Sequence, residues 1–304
     1  NAIVEAPDEL RHQSLAEEFV ASLRQGESAL IVSPTHHEGR AVTATVRQEL
    51  AKVGLIREER TLPILRRVDL HVADQRLATT YEPGWVLEAV RAQERFPKGQ
   101  RLLVTGITDD GLCVQTPGGS EHMLSVASIP DHFQVYERAN LPVGLGDRIR
   151  ITKNGTAEDR SPLHNATVQS VTGFTANGDL VCVGDAGKSH IISRHYCHFD
   201  HGWCTTSYAA QSKTVDRVFV AESPESFRAA NREQFYVSAS RGRFGLRIFT
   251  KDKEALFEAV QPSSKRLAAM DVEPKPAGLR QVLGTRRDII RVRREQPEID
   301  FDLD

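Results

Sequence analysis

The sequence predicts an α/β protein in which a segment of short β-strands interrupts a parallel sheet flanked by helices. Amphipathic helices alternate with a short apolar run in the first part, short alternating segments follow, and helix–strand alternation then returns. We therefore expect an α/β domain over residues 3–95 and 197–262, a small inserted β-barrel or curled sheet over 96–196, and a charged tail over 263–304.

The α/β part begins with two helices around one buried strand. Asp8 is expected to cap the first helix and Gly26 to end it, because apolar residues recur between them at helical spacing. Residues 29–32 form a continuous apolar run, which is typical of a strand buried on both faces. A second helix follows and ends at Gly54. Beyond residue 201, we expect strands over 214–221 and 246–250 and helices over 225–238 and 252–260.

The insertion is predicted from short alternating segments that are separated by glycine-containing turns. The expected strands cover residues 101–105, 112–115, 133–136, 147–152, 167–174 and 180–183. Residues 182–189 end in Gly187-Lys188-Ser189, as a phosphate loop does, but Cys182 stands in place of its first glycine and residues 190–193 are a poor helix start. A β-hairpin with its turn over 184–187 is therefore the preferred interpretation.

Composition excludes several classes of protein. The 304 residues include 39 Lys and Arg, 41 Asp and Glu, and only 4 Cys, and no apolar run approaches the ~20 residues of a membrane span. Without a signal-peptide pattern at the N-terminus, a cytoplasmic setting is expected. Because the chain opens at Asn1 without Met, we expect it to be a piece of a longer polypeptide.

Two further patterns, a cluster of His and Cys residues and the charged blocks of the tail, can each be interpreted in two ways. Metal-ligand residue types cluster without a paired spacing, so we expect a polar junction between domains and no metal site. These residues are His195, Cys197, His198, His201 and Cys204. Residues 263–294 hold nine Lys and Arg against three acids, and the last ten residues hold five acids and no base. Such blocks are usually solvated or disordered, although the basic block is also suited to DNA.

Two later segments carry the most specific chemistry. Residues 201–218 place a dense cluster of hydroxyl and amide side chains before a buried strand, where phosphates are readily held. Residues 234–243 project Arg241 and Arg243 from one short turn, as expected of an arginine that stabilises a transferring phosphoryl group. A surface arginine pair beside a packed helix is the simpler alternative.

Taken in order, these segments resemble superfamily 1 DNA helicases of the RecD-like branch, and specifically the helicase half of MobF-type conjugative relaxases. Residues 33–43 resemble the element that opens the second motor domain, and residues 146–154 resemble part of an SH3-like insertion. Residues 201–218 and 234–243 resemble motifs V and VI. The resemblance covers about residues 3–262 and implies a RecA-like second motor domain of the P-loop NTPase class.

The resemblance also implies roles for individual residues. Arg241 corresponds to the catalytic arginine that reaches the γ-phosphate, with Arg243 as a weaker candidate. The implied nucleotide-coupling loop consists of Gln211, Ser212, Lys213 and Thr214. The implied DNA-binding residues are Pro34, Thr35, His36, Thr206, Ser207 and Tyr208. Tyr208 stands where His is common and Ser212 where Gly is common, and a side chain at 212 narrows the approach of the backbone to a phosphate.

Two functions remain open from the sequence. In the first, the complete protein is a 5′→3′ helicase that binds ATP and Mg²⁺, and this chain binds neither alone because it carries no phosphate loop. Its partners would be single-stranded DNA, the first motor domain and, through the tail, other conjugation proteins. In the second, the chain is a non-catalytic module that binds DNA or docks a protein. Trp203 and Tyr208 stack bases only if they are exposed, and are otherwise part of a core or an interface.

Overall fold

A computed structural model describes residues 2–109, 111–184, 187–211, 214–227 and 232–261 of the chain. Its α/β part is built on one five-stranded sheet with the order β1-β18-β17-β2-β16, in which all neighbours are parallel. The strands are β1 (Ile3–Glu5), β2 (Ala29–Val32), β16 (Cys204–Thr205), β17 (Val215–Glu222) and β18 (Gly242–Thr250). The predicted α/β class with a parallel sheet is confirmed.

Helices cover both faces of this sheet. Helices α1 (Asp8–Arg24) and α2 (His36–Lys52) share a buried apolar cluster with β2, β17 and β18. On the other face, apolar side chains of α5 (Arg232–Ala239) and α6 (Lys253–Ala259) join a second cluster with the same three strands. Burial of both faces explains the continuous apolar runs at 29–32 in β2 and at 218–221 in β17.

For the first two helices, the predicted ends agree with the structure except at one residue. Gly26 and Gly54 adopt φ values of +79° and +74°, as expected of glycines that follow a helix. The expectation that Asp8 caps α1 is wrong: Pro7 is the N-cap, and Asp8 lies in the first turn. There its carboxylate is 3.0 Å from Arg11 Nη2, so it stabilises the helix end through charge and not as a cap.

The β-rich part begins at residue 57, earlier than the expected start at 96. A six-stranded antiparallel sheet has the order β3-β8-β4-β5-β6-β7. Its strands are β3 (Arg57–Arg67), β4 (Val86–Ala89), β5 (Arg101–Thr108), β6 (Gly111–Gln115), β7 (Glu121–Leu124) and β8 (Phe133–Leu145), with short helices α3 (Val72–Gln75) and α4 (Ile129–His132) between them. The first five residues of β3 are all exposed, so this half of the strand carries no alternating pattern.

A second antiparallel sheet follows, with the order β14-β13-β12-β9-β15. It consists of β9 (Arg148–Ile151), β12 (Val168–Phe174), β13 (Leu180–Gly184), β14 (Ser189–Ile192) and β15 (Phe199–His201), and a small ladder pairs β10 (Gly155–Thr156) with β11 (Pro162–Leu163). Because β13 and β14 pair antiparallel, the hairpin interpretation of the phosphate-loop-like segment is confirmed. Asp185 and Ala186, in its turn, lie outside the described residues.

The two antiparallel sheets are joined by apolar packing and by one buried carboxylate. Apolar side chains from the second half of β3 and the second half of β8 pack in the apolar core of the second sheet. Glu88 in β4 accepts hydrogen bonds from Lys153 and Arg101, and lies 2.7 Å from His198 Nε2. Burial acts to raise the pKa of Glu88, but the bonds from His198 and Lys153 outweigh it and hold the value at about 2.

Asp147 joins the insertion to the α/β part. Its side chain is 0% exposed, and Oδ2 lies 2.9 Å from Arg47 Nε of α2. Oδ1 accepts a hydrogen bond from Trp203 Nε1 at 2.6 Å, just before β16. The backbone N–H groups of Gly144 and Arg148 donate to the same carboxylate. A buried carboxylate needs all of these partners, so the three segments must meet at this point.

Two further expectations concern the last part of the chain. The helix expected over 225–238 is α5, which starts only at Arg232; residues 224–227 form turns, and 228–231 lie outside the described residues. The tail over 263–304 also lies outside them. Within the described ranges, no helix combines the length and apolarity that crossing a membrane requires.

We expect Asp147→Ala to destabilise the chain by about 3–5 kcal/mol, because it leaves Arg47 and the Trp203 N–H buried with fewer partners. The free energy of unfolding in urea is the measurement. Asp69→Ala is the matched control, since it removes an exposed 3.0 Å ion pair to Arg67 and is expected to cost less than about 1 kcal/mol. Equal losses for the two variants would contradict the role assigned to Asp147.

Candidate functional site

The predicted site residues lie at opposite edges of the parallel sheet. Residues 33–36 follow β2 and residues 206–208 follow β16, so both groups lie at the carboxyl edge. Gln211 and Thr214 precede β17 and Arg241 precedes β18, which places them at the amino edge. The carboxyl edge of a parallel sheet is the usual place for ligand-binding loops in α/β proteins.

The two loops at the carboxyl edge are held side by side. Ser33 N donates to Thr205 O at 2.9 Å, which extends the pairing of β2 with β16 by one residue. Thr35 caps α2 by accepting a hydrogen bond from Glu38 N at 3.3 Å, and Pro34 lies just before it. His36 is the first residue of α2 and is exposed, so its ring and the free N–H groups of the first helical turn lie near the edge.

The turn after β16 presents one aromatic ring to solvent. Ala210 N donates to Thr206 O, and Ala209 N donates to Thr206 Oγ1. Tyr208 is 81% exposed, whereas Trp203 is only 6% exposed and packs edge-on against Phe19. Of the two aromatics considered from the sequence, Trp203 therefore belongs to the core, and Tyr208 alone is free to stack on a ligand.

Arg241 is positioned at the amino edge by its own backbone. Its carbonyl oxygen accepts a hydrogen bond from Val215 N at 3.0 Å, which ties it to the start of β17. Its half-buried guanidinium donates to Val237 O and Ser240 Oγ, at 2.9 and 2.8 Å. These neutral partners leave the positive charge of Arg241 without a carboxylate among the contacts found in the described part of the chain.

Arg243 has a different environment at the same edge. Hydrogen bonds from Ser28 lower the pKa of Asp216, and the positive charge of Arg243 adds to this effect. Arg243 therefore lies near a fixed negative charge, unlike Arg241. Gln211 and Thr214 are exposed before β17, while Ser212 and Lys213 lie outside the described residues. Arg241 is thus the better placed of the two arginines to meet an anion.

A hydroxyl contact links the two edges. The Oγ atoms of Ser207, in the turn after β16, and Ser238, in α5, lie 3.0 Å apart, and both side chains are buried. Ser238 Oγ is also 2.9 Å from Gln234 O, one turn earlier in the helix. Arg241 follows α5 after one intervening residue, so this contact joins the turn at Ser207 to the helix that leads into the arginine.

A buried charge network beneath the carboxyl edge was missed from the sequence. Arg11 is fully buried, with Nη1 at 2.6 Å from Glu38 Oε1 and at 3.2 Å from the backbone oxygen of Glu222. Burial acts to raise the pKa of Glu38, but hydrogen bonds from His12 and Arg11 hold it at about 2. Amphipathic spacing in α1 gave no signal for Arg11, because a charged residue is normally assigned to the solvent face.

Glu222 shows the opposite pKa shift. It ends β17 and is 4% exposed, with Ser226 Oγ at 3.2 Å from its carboxylate. Burial raises the pKa of Glu222 to about 8, and the charge of Glu38 adds to the rise, while Ser226 and Arg11 act against it. At neutral pH, Glu38 is therefore ionised and Glu222 is largely protonated, so that the two carboxyl groups can share this buried region.

The cluster of His and Cys residues is distributed over several contacts. His198 lies beside Glu88, while His201 Nε2 is 2.7 Å from Pro142 O and 4.0 Å from Asp147. Cys204, in β16, packs closely against Gly39 of α2: a Cβ at position 39 would lie only 3.3 Å from the sulfur of Cys204. Of the residues that the structure describes, no group of three or more His, Cys, Asp or Glu is arranged to hold a metal ion. Several of these side chains instead contribute to junctions between sheets.

Sequence comparison finds relatives among bacterial conjugation proteins. The multifunctional conjugation protein TraI of Escherichia coli is 25% identical over 274 residues, which cover 86% of this chain and 15% of TraI. The conjugal transfer protein TraA of Agrobacterium fabrum is 32% identical over 107 residues, covering 34% of this chain and 9% of TraA. The resemblance to conjugation proteins predicted from the order of the motifs is confirmed, and the chain spans a small part of these relatives. No family model matches.

Structural comparison returns Pif1 helicases. A crystal structure of Pif1 helicase from Bacteroides in complex with ADP-AlF3 and ssDNA is 12% identical, with a TM-score of 0.25, and the match covers 85% of this chain and 52% of that one. The Pif1 helicase from Candida albicans is 11% identical with a TM-score of 0.25, covering 83% and 56% of the two chains.

We expect the stability of the chain to fall as the pH rises from about 4.5 to 8, owing to Glu222. In this window the folded chain keeps a proton on Glu222 that the unfolded chain releases, so rising pH favours unfolding. Glu222→Gln removes this contribution, and its advantage in unfolding free energy over the parent chain should grow with pH across the window. Urea titrations at several pH values measure the difference.

The exposed Glu225→Gln, in the turn that follows, is the control and should leave the pH dependence of unfolding unchanged. A constant difference between Glu222→Gln and the parent chain at every pH would show that Glu222 titrates alike in the folded and unfolded states.

Proposed function

We propose that the chain is the second motor domain of an ATP-dependent DNA helicase that acts in conjugation. The observation that carries the proposal is the separation of two sets of polar residues onto opposite edges of one parallel sheet, with Ser207 and Ser238 in contact between them. One edge is suited to a nucleic-acid strand and the other to a nucleotide. The relationship to TraI and TraA supports a role in conjugation.

At the carboxyl edge, single-stranded DNA is the proposed ligand. The N-terminal turn of α2 and the hydroxyls of Thr35 and Thr206 supply donors for phosphate oxygens without base specificity. The exposed ring of Tyr208 offers a face on which a base can stack. Pro34, His36 and Ser207 complete the proposed surface; because Ser207 is buried, its contribution is to position the turn and not to touch the strand.

At the amino edge, Arg241 is proposed to stabilise the γ-phosphate of ATP. Within the described ranges, the contacts of its guanidinium are with neutral oxygens, which keeps its charge available for a phosphoryl group. Gln211 and Thr214, with Ser212 and Lys213 outside the described residues, supply the amide and hydroxyl chemistry that suits a nucleotide. In the complete protein, ATP and Mg²⁺ would be held mainly by the first motor domain, and this chain is not proposed to bind or hydrolyse ATP alone.

Closure of the two motor domains would then couple the two edges. When Arg241 meets the nucleotide, α5 and the contact between Ser238 and Ser207 would move the turn that faces the strand. The family resemblance implies a RecA-like motor with an SH3-like insertion and 5′→3′ polarity, and the composition of the chain favours a cytoplasmic location. Contacts of the tail with other conjugation proteins complete the proposal.

In a polypeptide that contains both motor domains, Arg241→Ala is expected to lower DNA-stimulated ATP turnover by about 10³-fold, because the charge on the transferring phosphoryl group loses its partner. Binding of single-stranded DNA should be retained, since the carboxyl edge is unchanged. Steady-state ATPase assays and fluorescence anisotropy with a labelled oligonucleotide measure the two properties.

Arg243→Ala serves as the neighbouring comparison, and we expect a much smaller loss because Arg243 acts on Asp216. Arg138→Ala, an exposed arginine in β8, is the distant control and should change neither property. Unchanged turnover in Arg241→Ala with DNA binding intact would overturn the catalytic role and favour a non-catalytic DNA-binding module.

A further inference from the structure

The geometry points to a phosphate-binding position outside the loops described so far: Arg150, in strand β9 of the insertion, extends the path of single-stranded DNA from the carboxyl edge of the parallel sheet onto the second antiparallel sheet. This inference rests on the proposed function, because it assigns a further contact to the same DNA partner. It makes the insertion part of the DNA path and not only a structural addition to the motor domain.

Strand β9 has one basic and one apolar face. Ile149 and Ile151 are fully buried in the core of the second sheet, so the alternation of a strand places Arg148 and Arg150 together on the other face. The guanidinium carbon of Arg148 lies 5.0 Å from the centre of the Trp203 ring. Because Trp203 directly precedes β16, the basic face of β9 is turned towards the α/β part.

Close backbone packing holds β9 at this position. Gly202 N donates to Arg148 O at 2.7 Å. A Cβ on Gly202 would lie 3.1 Å from the carbonyl carbon of Ile149 and 3.2 Å from Arg150 N, both of them backbone atoms that cannot move aside easily. The chain then runs through Trp203 into β16 and the turn at Thr206. Arg150 is therefore placed only a few residues from the proposed DNA loop.

The charge of Arg150 reaches both loops of the carboxyl edge. Partial desolvation of the ring lowers the pKa of His36, and the positive charges of Arg150 and Arg40 lower it further, while Asp200 and Asp69 oppose them. The same charge of Arg150 acts on the thiol of Cys204 in β16. Cationic groups from the start of α2 and from β9 thus converge on one side of the edge, as phosphate binding requires.

Arg150 differs from the arginines that join the sheets to one another and to the α/β part, because no side chain in the described part of the chain binds its guanidinium. Among the described residues it forms no hydrogen bond and no ion pair within 4.0 Å, although Asp200 is its cross-strand neighbour in β15. Arg47, by contrast, is held by Asp147 and Glu59, and Arg101 by Glu88 and two carbonyl oxygens. A half-buried guanidinium without a protein partner keeps its N–H donors available to a phosphate that reaches this face.

The test uses the full 304-residue chain and a fluorescently labelled oligothymidylate, with anisotropy measured over a series of salt concentrations. Arg150→Ala is expected to weaken binding by about five- to tenfold and to reduce the slope of log K against log salt by about 0.7, as loss of one phosphate contact predicts. Arg150→Lys keeps the charge and should recover most of the affinity. Arg138→Ala, also a strand arginine, should leave affinity and slope unchanged.

Urea unfolding of each variant confirms that the chain remains folded. If the parent chain does not bind the oligonucleotide, the proposed DNA function fails and this inference fails with it. If the parent chain binds and Arg150→Ala matches it in affinity and slope, the inference alone is overturned. Inorganic phosphate that displaces the oligonucleotide from the parent chain much more strongly than chloride of equal ionic strength, but not from Arg150→Ala, would also overturn it, because the position would then serve a free anion.

Discussion

The buried carboxylate of Asp147 is the interaction on which the arrangement of this chain depends. A carboxylate with no exposure to water is tolerated only when charged and N–H partners surround it. Arg47 comes from α2, Trp203 from the segment that enters β16, and the two backbone N–H groups from the insertion. Satisfying one side chain therefore brings three separate parts of the chain to one point, next to the carboxyl edge of the parallel sheet.

This junction explains why the insertion is relevant to the proposed ligand. The parallel sheet already separates the loops that follow β2 and β16 from the residues that precede β17 and β18. The insertion, attached through Asp147 and packed against Gly202, then adds the basic face of β9 beside the first group of loops. The contact between Ser207 and Ser238 connects this surface to Arg241. Direct contacts between adjacent segments therefore position each part of the proposed cycle.

Local patterns in the sequence predicted the elements whose signals are local. The apolar run at 29–32, the glycines at 26 and 54 and the hairpin at 184–187 require only neighbouring residues. Strand β3 was missed because its exposed, charged first half pairs with β8 far along the chain. The predicted site residues were identified by motif order, and parallel topology then explains why they divide between two edges.

Buried charges could not be predicted in the same way. Arg11 contacts the backbone of Glu222, 211 residues away, and Asp147 contacts Arg47 across 100 residues. Each of these residues, taken alone, is assigned to the surface by its charge, and only the folded chain shows the partners that allow burial. The position of Arg150 could not be predicted either. The alternating pattern of β9 indicates a strand, but it does not indicate the direction in which the basic face of that strand points.

Photo-crosslinking of the chain to a single-stranded oligonucleotide, followed by peptide mapping with mass spectrometry, tests the central assignment of the two edges most directly. Crosslinks are expected in peptides containing residues 33–36 and 206–208, which follow β2 and β16, and not in the peptide containing residues 240–245. Crosslinks concentrated at 240–245, with none at the carboxyl edge, would contradict the assignment of DNA to one edge of the sheet and nucleotide to the other.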